Sequence, residues 1–179
     1  MIALTRAWDA QRVADELGAT WRVIIDDPPR EHAFRPVEWN QEQLQLWFDD
    51  AVHPAEGITL ADDRHIRALI DFADQWADAA PLVVNCYAGT SRSPAAIMIV
   101  LSRLYPGLEA PIVDSIRAAA SHIRPNIHMI ALGDRLLGAE GRLIEAVTRM
   151  RPASTRGFAG RADISTYQFA ANFTERWRC

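Results

Sequence analysis

The stretch from Cys86 to Ser93 combines a nucleophile, a guanidinium and small residues in an order that suits oxyanion chemistry. It reads Cys86-Tyr-Ala-Gly-Thr-Ser-Arg92-Ser93, directly after an apolar run, and is called here the cysteine loop. When a buried strand runs through a short loop into a helix, successive backbone N–H groups point inward. The helix adds its positive N-terminal end. The sequence therefore predicts a cradle for a tetrahedral oxyanion such as phosphate.

Each side chain of the cysteine loop has a physical reason to be there. Converging N–H dipoles and a guanidinium favour the thiolate of Cys86, which is the nucleophilic form. Gly89 permits the backbone conformation that curls the loop, and Arg92 offers paired donors to two phosphoryl oxygens. Ser93 can hydrogen-bond the sulfur and help it leave. We expect Cys86, Arg92 and Ser93 to be catalytic. We expect the phosphate to be bound by Tyr87, Ala88, Gly89, Thr90, Ser91 and Arg92.

Strand and helix patterns alternate before the cysteine loop, and helices dominate after it. Gly18 is expected to end the first helix and Asn126 to cap a later one. The patterns predict an α/β fold with a central, mostly parallel sheet flanked by helices and a helical C-terminal half. Strands are predicted at 2–4, 21–25, 44–48 and 81–84, and helices up to 18, from 62 or 63 to 77, and at 93–104, 109–122, 127–137 and 139–150.

The last part of the chain differs in character from the rest. Residues 1–150 are predicted to form one domain, and residues 151–179 a C-terminal extension with five Arg against one Asp and one Glu. The pattern leaves open whether this extension packs on the domain.

Bulk composition excludes several classes of function. The 179 residues are 49% hydrophobic and 23% charged, which is ordinary for one globular domain. A formal net charge of −4 argues against a nucleic-acid or anionic-membrane binder. Two cysteines, Cys86 and Cys179, do not make a disulfide framework. With no signal-peptide pattern at the N-terminus and no membrane span, we expect a reduced, cytoplasmic protein. The five histidines show no spacing with cysteine that would hold a structural zinc.

The pattern Cys86-x-x-Gly89-x-Ser91-Arg92-Ser93 resembles the C-x5-R-[ST] signature of the protein tyrosine phosphatase superfamily, in its dual-specificity-like form. The signature follows 85 residues of α/β pattern and precedes a helical half, which is similar to its position in members of that branch. Arg124-Pro125-Asn126 looks like a feature of bacterial members. The resemblance covers about residues 1–150.

The resemblance implies a phosphomonoester hydrolase that works in two steps through a phosphocysteine and needs no metal or cofactor. Its substrate would be a phosphorylated protein or a small phosphate ester. An Asp on a separate upstream loop would protonate the leaving oxygen and then activate water.

Asp50 is the candidate that best fits the role of this acid, because it follows the predicted strand 44–48. Alternation along a strand sends Asp49 to the opposite side, so Asp49 is the second candidate. Glu56 and Asp62 remain further alternatives. Because Asp62 and Asp63 open a predicted helix, capping is their more ordinary role.

One position departs from the resemblance. The residue before the cysteine is usually His in the superfamily and is Asn85 here. Asn can donate a hydrogen bond but carries no charge, so we expect less thiolate at neutral pH and slower turnover.

The substrate class is only partly constrained by the sequence. The absence of basic residues between Cys86 and Arg92 disfavours polyphosphorylated inositol lipids. Phosphotyrosine, phosphoserine or phosphothreonine, and small esters stay open, with phosphotyrosine first on the resemblance. Trp39, Trp47 and His53 could line the entrance of the site.

Two other classes of function are compatible with part of the pattern. A phosphate- or phosphopeptide-binding pseudophosphatase would keep Arg92 but lack a working acid. Sulfur or arsenate chemistry is the third class. A rhodanese normally shows two repeated halves, which are absent. Arsenate reduction needs a resolving cysteine, for which Cys179 is the only candidate.

Overall fold

The computed structural model describes residues 1–29, 41–150 and 160–166. Within this part the chain forms five strands, six α-helices and a 3₁₀ helix at Ala7–Asp9. The strands are β1 (Ile2–Arg6), β2 (Trp21–Asp26), β3 (Glu42–Trp47), β4 (Leu82–Cys86) and β5 (Arg161–Ile164). The helices are α1 (Ala10–Leu17), α2 (Asp63–Trp76), α3 (Arg92–Leu104), α4 (Glu109–Ala119), α5 (Ile127–Leu137) and α6 (Arg142–Thr148).

The strands form one sheet in the order β3-β2-β4-β1-β5. The first four run parallel, and β5 is antiparallel to β1. The predicted α/β fold with a mostly parallel central sheet is confirmed. The fifth strand was not predicted. It lies within the extension beyond residue 150, where Ala162 pairs with Leu4.

The helices cover the two faces of the sheet unequally. On one face, Val13 and Ala14 of α1 pack against Ala3 and Val83. The other face carries the large core, with α3 at its centre, where every side chain from residue 93 to residue 102 is buried. No helix in the described ranges is both long and apolar enough to cross a bilayer.

Local signals placed several helix ends correctly. Gly18 ends α1 with a φ of 57°, and the side chains of Asp62 and Asn126 accept hydrogen bonds from the first turns of α2 and α5. The largest differences from the predicted boundaries, of three residues each, occur at two helix ends. The fourth helix ends at Ala119 instead of 122, and the last begins at 142 instead of 139, after Gly141 with a φ of 86°.

Because four strands are parallel, the carboxyl ends of β2, β3 and β4 lie at the same edge of the sheet. The segments that follow these strands therefore meet there, which is where α/β proteins place their ligands. The cysteine loop follows β4, and residues 49–61, called here the Asp50 loop, follow β3 closely.

Candidate active site

Cys86 is the last residue of β4, and its side chain is only 2% exposed. Strand alternation turns Cys86 toward the large core together with Val84, whereas Val83 and Asn85 face α1. The Cys86 Sγ lies 3.1 Å from the Ser93 Oγ, in the first turn of α3. A hydroxyl at this distance can hydrogen-bond the sulfur.

Arg92 begins α3 and is 3% exposed. Its Nη1 donates to the Asp27 Oδ1 at 2.9 Å and to the Phe48 carbonyl at 2.7 Å. Its Nε is buried and has no hydrogen-bond partner among the described residues. Leaving a buried guanidinium N–H without a partner costs free energy. Because Arg92 is held through Nη1, its Nε remains a donor for a ligand.

The cysteine loop is curled by Gly89, whose φ is 68°. Within the described part, no hydrogen bond uses the backbone N–H groups of residues 88–91. These donors follow the end of β4 and precede the positive end of α3, which is the arrangement that binds oxyanions.

The carbonyl groups of the cysteine loop are held by the connection between α4 and α5, residues 120–126. The Gly89 carbonyl lies 3.2 Å from the His122 Nε2, and the Thr90 and Ser91 carbonyls accept from the N–H groups of Arg124 and Asn126 at 2.8 and 3.1 Å. Burial lowers the pKa of His122 from its ordinary value, although its contact with Gly89 opposes this shift. The curled shape of the loop is therefore stabilised from outside it.

Asp50 lies over the cysteine loop. Its Oδ1 accepts from the Ser91 Oγ at 2.7 Å and from the Asn126 Nδ2 at 2.9 Å. The neighbouring Asp49 is buried, and its Oδ2 accepts from the Thr59 N–H at 2.7 Å, within the Asp50 loop itself. Both carboxylates line the cleft, and that of Asp50 is hydrogen-bonded to the Ser91 side chain of the cysteine loop. Asp62 instead caps α2.

A cleft of about 370 Å³ opens above the cysteine loop. Of the residues predicted to form the site, it is lined by Asp50, Cys86, Tyr87, Ala88, Thr90, Ser91 and Arg92. Gly89 acts through its backbone conformation and Ser93 lies behind Cys86. Neither Trp47 nor His53 is among the described residues that line the cleft. Trp39 and Cys179 lie outside the described residues.

Asp27 is a site residue that the sequence reading missed. It follows β2, lines the cleft and holds Arg92 through an ion pair, with its own side chain 58% exposed. Burial raises the pKa of the preceding Asp26, an effect that Arg92 opposes. The signal was available, because Asp27 follows an apolar parallel strand in the same way that Asp50 does.

Behind the loop, Asn85 meets a buried cation. The Nε of Arg22, on β2, donates to the Asn85 Oδ1 at 3.3 Å, and both side chains are buried. Burial lowers the pKa of Arg22, but an arginine remains charged at neutral pH. Asn85 thus brings a positive charge of another residue close to the strand that carries Cys86.

Tyr87 and Trp8 form an exposed aromatic pair at the mouth of the cleft. Their ring centroids lie 5.5 Å apart in an edge-to-face arrangement, and they are 62% and 56% exposed. The Arg6 guanidinium lies 4.9 Å from the Trp8 ring. The Tyr87 carbonyl accepts from the Ala7 N–H, which ties the 3₁₀ helix to the cysteine loop.

A central strand that ends in a cysteine, followed by a curled loop and a helix headed by an arginine, is the arrangement that the C-x5-R-[ST] resemblance implies. Comparison with solved structures agrees, since this chain has the fold of the dual-specificity phosphatases. The structure of DUSP15 shares 17% identity over 84% of this chain and 92% of that chain, with a TM-score of 0.54. Human DUSP28 shares 15% identity over 78% and 92%, with a TM-score of 0.58. PTPMT1 in complex with PI(5)P shares 20% over 84% and 95%, with a TM-score of 0.53.

At these identities the likeness concerns the fold alone. No protein-family profile matches the sequence, and no curated protein matches it significantly. The fold expected from the cysteine-loop signature is therefore confirmed by three-dimensional structure and not by sequence comparison.

Proposed function

We propose that this protein is a cysteine-dependent phosphomonoester hydrolase that acts through a phosphocysteine intermediate. The observation that carries the proposal is that Cys86, the Nε of Arg92 and the N–H groups of residues 88–91 lie together at or beside one cleft. Among the described residues, neither this Nε nor these N–H groups have a hydrogen-bond partner. A dianionic phosphoryl group would satisfy all of these donors while its phosphorus faces the sulfur.

In the first step the Cys86 thiolate attacks phosphorus and an S–P bond forms. The bond from phosphorus to the ester oxygen breaks, and the Asp50 carboxyl gives its proton to that oxygen. Arg92 and the loop N–H groups stabilise the charge on the three non-bridging oxygens. The Oδ1 of Asp50 is engaged by Ser91 and Asn126, so its Oδ2 is the atom that carries the proton.

In the second step the Asp50 carboxylate takes a proton from water, and the water oxygen attacks phosphorus. The S–P bond breaks and the thiolate is restored. The Ser93 hydroxyl, 3.1 Å from the sulfur, donates to the thiolate as it leaves. Inorganic phosphate is released and Asp50 is again protonated.

On the strength of the resemblance, we propose a phosphorylated protein as the first substrate to test and phosphotyrosine as the first phosphorylated residue. PTPMT1, which shares the fold, is described in complex with PI(5)P. In this chain the residues between Cys86 and Arg92 are Tyr, Ala, Gly, Thr and Ser, and none offers a charge to a further phosphate. This supports a substrate with a single phosphate at the cleft.

The test is hydrolysis of para-nitrophenyl phosphate by the reduced wild type and by Cys86→Ser. We expect steady turnover by the wild type and none by the variant. Rapid acid quenching followed by intact-mass measurement should show one phosphoryl group on the wild type and none on Cys86→Ser. Clean wild-type protein that binds phosphate but shows neither turnover nor phosphoprotein would instead be a phosphate-binding module, and the proposal would fail.

A further inference from the structure

The exposed apolar side chains of the described residues are not scattered. The large apolar residues that are substantially exposed are Trp8, Val52, Ile58, Tyr87 and Ile127. Isolated exposed apolar residues are normal, but a contiguous set is typical of an interaction site. These five come from four separate segments of the chain, so their common location is a property of the fold.

All five belong to segments that border the cleft. Tyr87 and Ile58 line it, and Trp8 packs against Tyr87. Val52 follows Ala51, which also lines the cleft. Ile127 follows Asn126, whose side chain bonds to both Asp50 and Ala51. We call these five residues the apolar rim.

The charges at the mouth narrow the choice of occupant. Among the described residues that line the cleft, the carboxylates of Asp27, Asp49 and Asp50 outnumber the guanidinium of Arg92. The Arg6 guanidinium beside Trp8 is paired with Asp9, and the chain as a whole carries a formal charge of −4. An anionic membrane surface or an acidic peptide would be repelled by these groups. An apolar peptide segment would bury the rim without that penalty.

We propose that the apolar rim recognises a phosphorylated protein segment whose residues beside the phosphorylated side chain are apolar. The inference rests on the proposed function, because the phosphoryl group anchors the segment in the cleft. The aromatic pair of Trp8 and Tyr87, together with Ile58 of the Asp50 loop, offers apolar contacts to these neighbours. Neighbouring Glu or Asp side chains are rejected, since they would lie beside the cleft carboxylates.

The test measures binding to Cys86→Ser, so that it does not depend on turnover. Three fluorescent phosphotyrosine peptides of equal length carry Leu, Ala or Glu on both sides of the phosphotyrosine, and their affinities are measured by anisotropy. We expect the Leu peptide to bind about tenfold more tightly than the Glu peptide. Adding Trp8→Ala or Ile58→Ser should reduce this ratio to about threefold or less.

Gln75→Ala is the matched control. Gln75 is exposed in the last turn of α2, before the segment that enters β4 at the end opposite Cys86, so this variant should keep the full ratio. Equal binding of the Leu and Glu peptides, no binding of any peptide, or a ratio insensitive to Trp8→Ala and Ile58→Ser would overturn the inference. The inference would also be overturned if the protein bound phosphatidylcholine vesicles containing a phosphoinositide more tightly than the Leu peptide and Trp8→Ala abolished this vesicle binding. Hydrolysis of para-nitrophenyl phosphate by the wild type reports separately on the proposed function.

Discussion

Two side chains at the cysteine loop are each held by one atom and leave another for a ligand. Arg92 is fixed through Nη1 and keeps Nε, while Asp50 is fixed through Oδ1 and keeps Oδ2. Fixing a group before the ligand arrives reduces the entropy that is lost when the transition state forms. In the proposed reaction we therefore expect Asp27, which anchors Arg92, and Asn126, which anchors Asp50, to contribute to rate without touching the phosphate.

Asp50→Asn should lower kcat by about 10²–10³-fold for a phosphoserine peptide, because the alkoxide that leaves needs a proton. The loss should be smaller for para-nitrophenyl phosphate, whose leaving group is already acidic. Asp49→Asn should cost less than about fivefold with either substrate, since its Oδ2 bonds within its own loop. Steady-state kinetics of both variants on both substrates will show which of the two carboxylates is the general acid. A larger loss in Asp49→Asn would transfer the acid role to Asp49.

Asp27→Asn should weaken the hold on Arg92. The ion pair joins a buried guanidinium to a carboxylate that is 58% exposed, so we expect a loss of about 1 kcal/mol. This corresponds to about a fivefold decrease in kcat/KM, seen mainly as a higher KM. Asp74→Asn, which removes the exposed pair with Arg103 elsewhere on the surface, is the control and should leave kcat/KM unchanged. An equal loss in both variants would exclude a specific role for Asp27.

At the scale of elements, the connection between α4 and α5 is the support of the site. The sequence predicts helix up to residue 122, but the helix ends at Ala119 and residues 120–126 turn toward the cysteine loop. Two of the three hydrogen bonds to the loop use backbone N–H groups, which have no side-chain signature. The loop itself was predictable because its motif is local, whereas the partner that shapes it belongs to another element.

His122 should make this support sensitive to acid. Burial places the pKa of folded His122 below that of the unfolded chain, so the folded state binds fewer protons and stability rises with pH. The contribution is present above the ordinary histidine pKa of about 6.5 and is lost as pH falls through the folded value. Urea unfolding at about pH 5 and about pH 7.5 should show a smaller pH dependence in His122→Gln, which keeps a donor that does not titrate. Equal pH dependence in both proteins would contradict this role.

At the scale of the molecule, β5 completes the sheet that carries Cys86. It pairs with β1, which in turn pairs with β4, and the Thr5 Oγ1 donates to the Gly160 carbonyl at 2.8 Å. The sequence predicts an extension here because residues 151–179 carry five Arg against one Asp and one Glu. The four residues of β5, which include Arg161 and Asp163, are too few and too polar to indicate a strand. The position of Asp27 after an apolar strand indicates a site candidate, but its pairing with Arg92 follows only from the strand order. We therefore expect the folded domain to require residues 160–166.

Ile164→Ala tests this requirement. Ile164 is buried in the large core, and its truncation should lower the free energy of unfolding by about 3 kcal/mol. Asp163→Ala on the same strand removes an exposed side chain and its pair with Arg161, and should cost less than about 0.5 kcal/mol. Urea titrations of both variants make the comparison. Similar small losses would mean that β5 adds little to the domain.

Because the Gly89, Thr90 and Ser91 carbonyls are held by residues some thirty positions later, two separate stretches of sequence determine the shape of the proposed anion site. Grafting residues 86–93 alone into another protein would transfer the reactive atoms but not residues 120–126, which hold the loop in its curled shape. A designer who wants the cradle must transplant both stretches, together with the spacing that α3 and α4 impose between them.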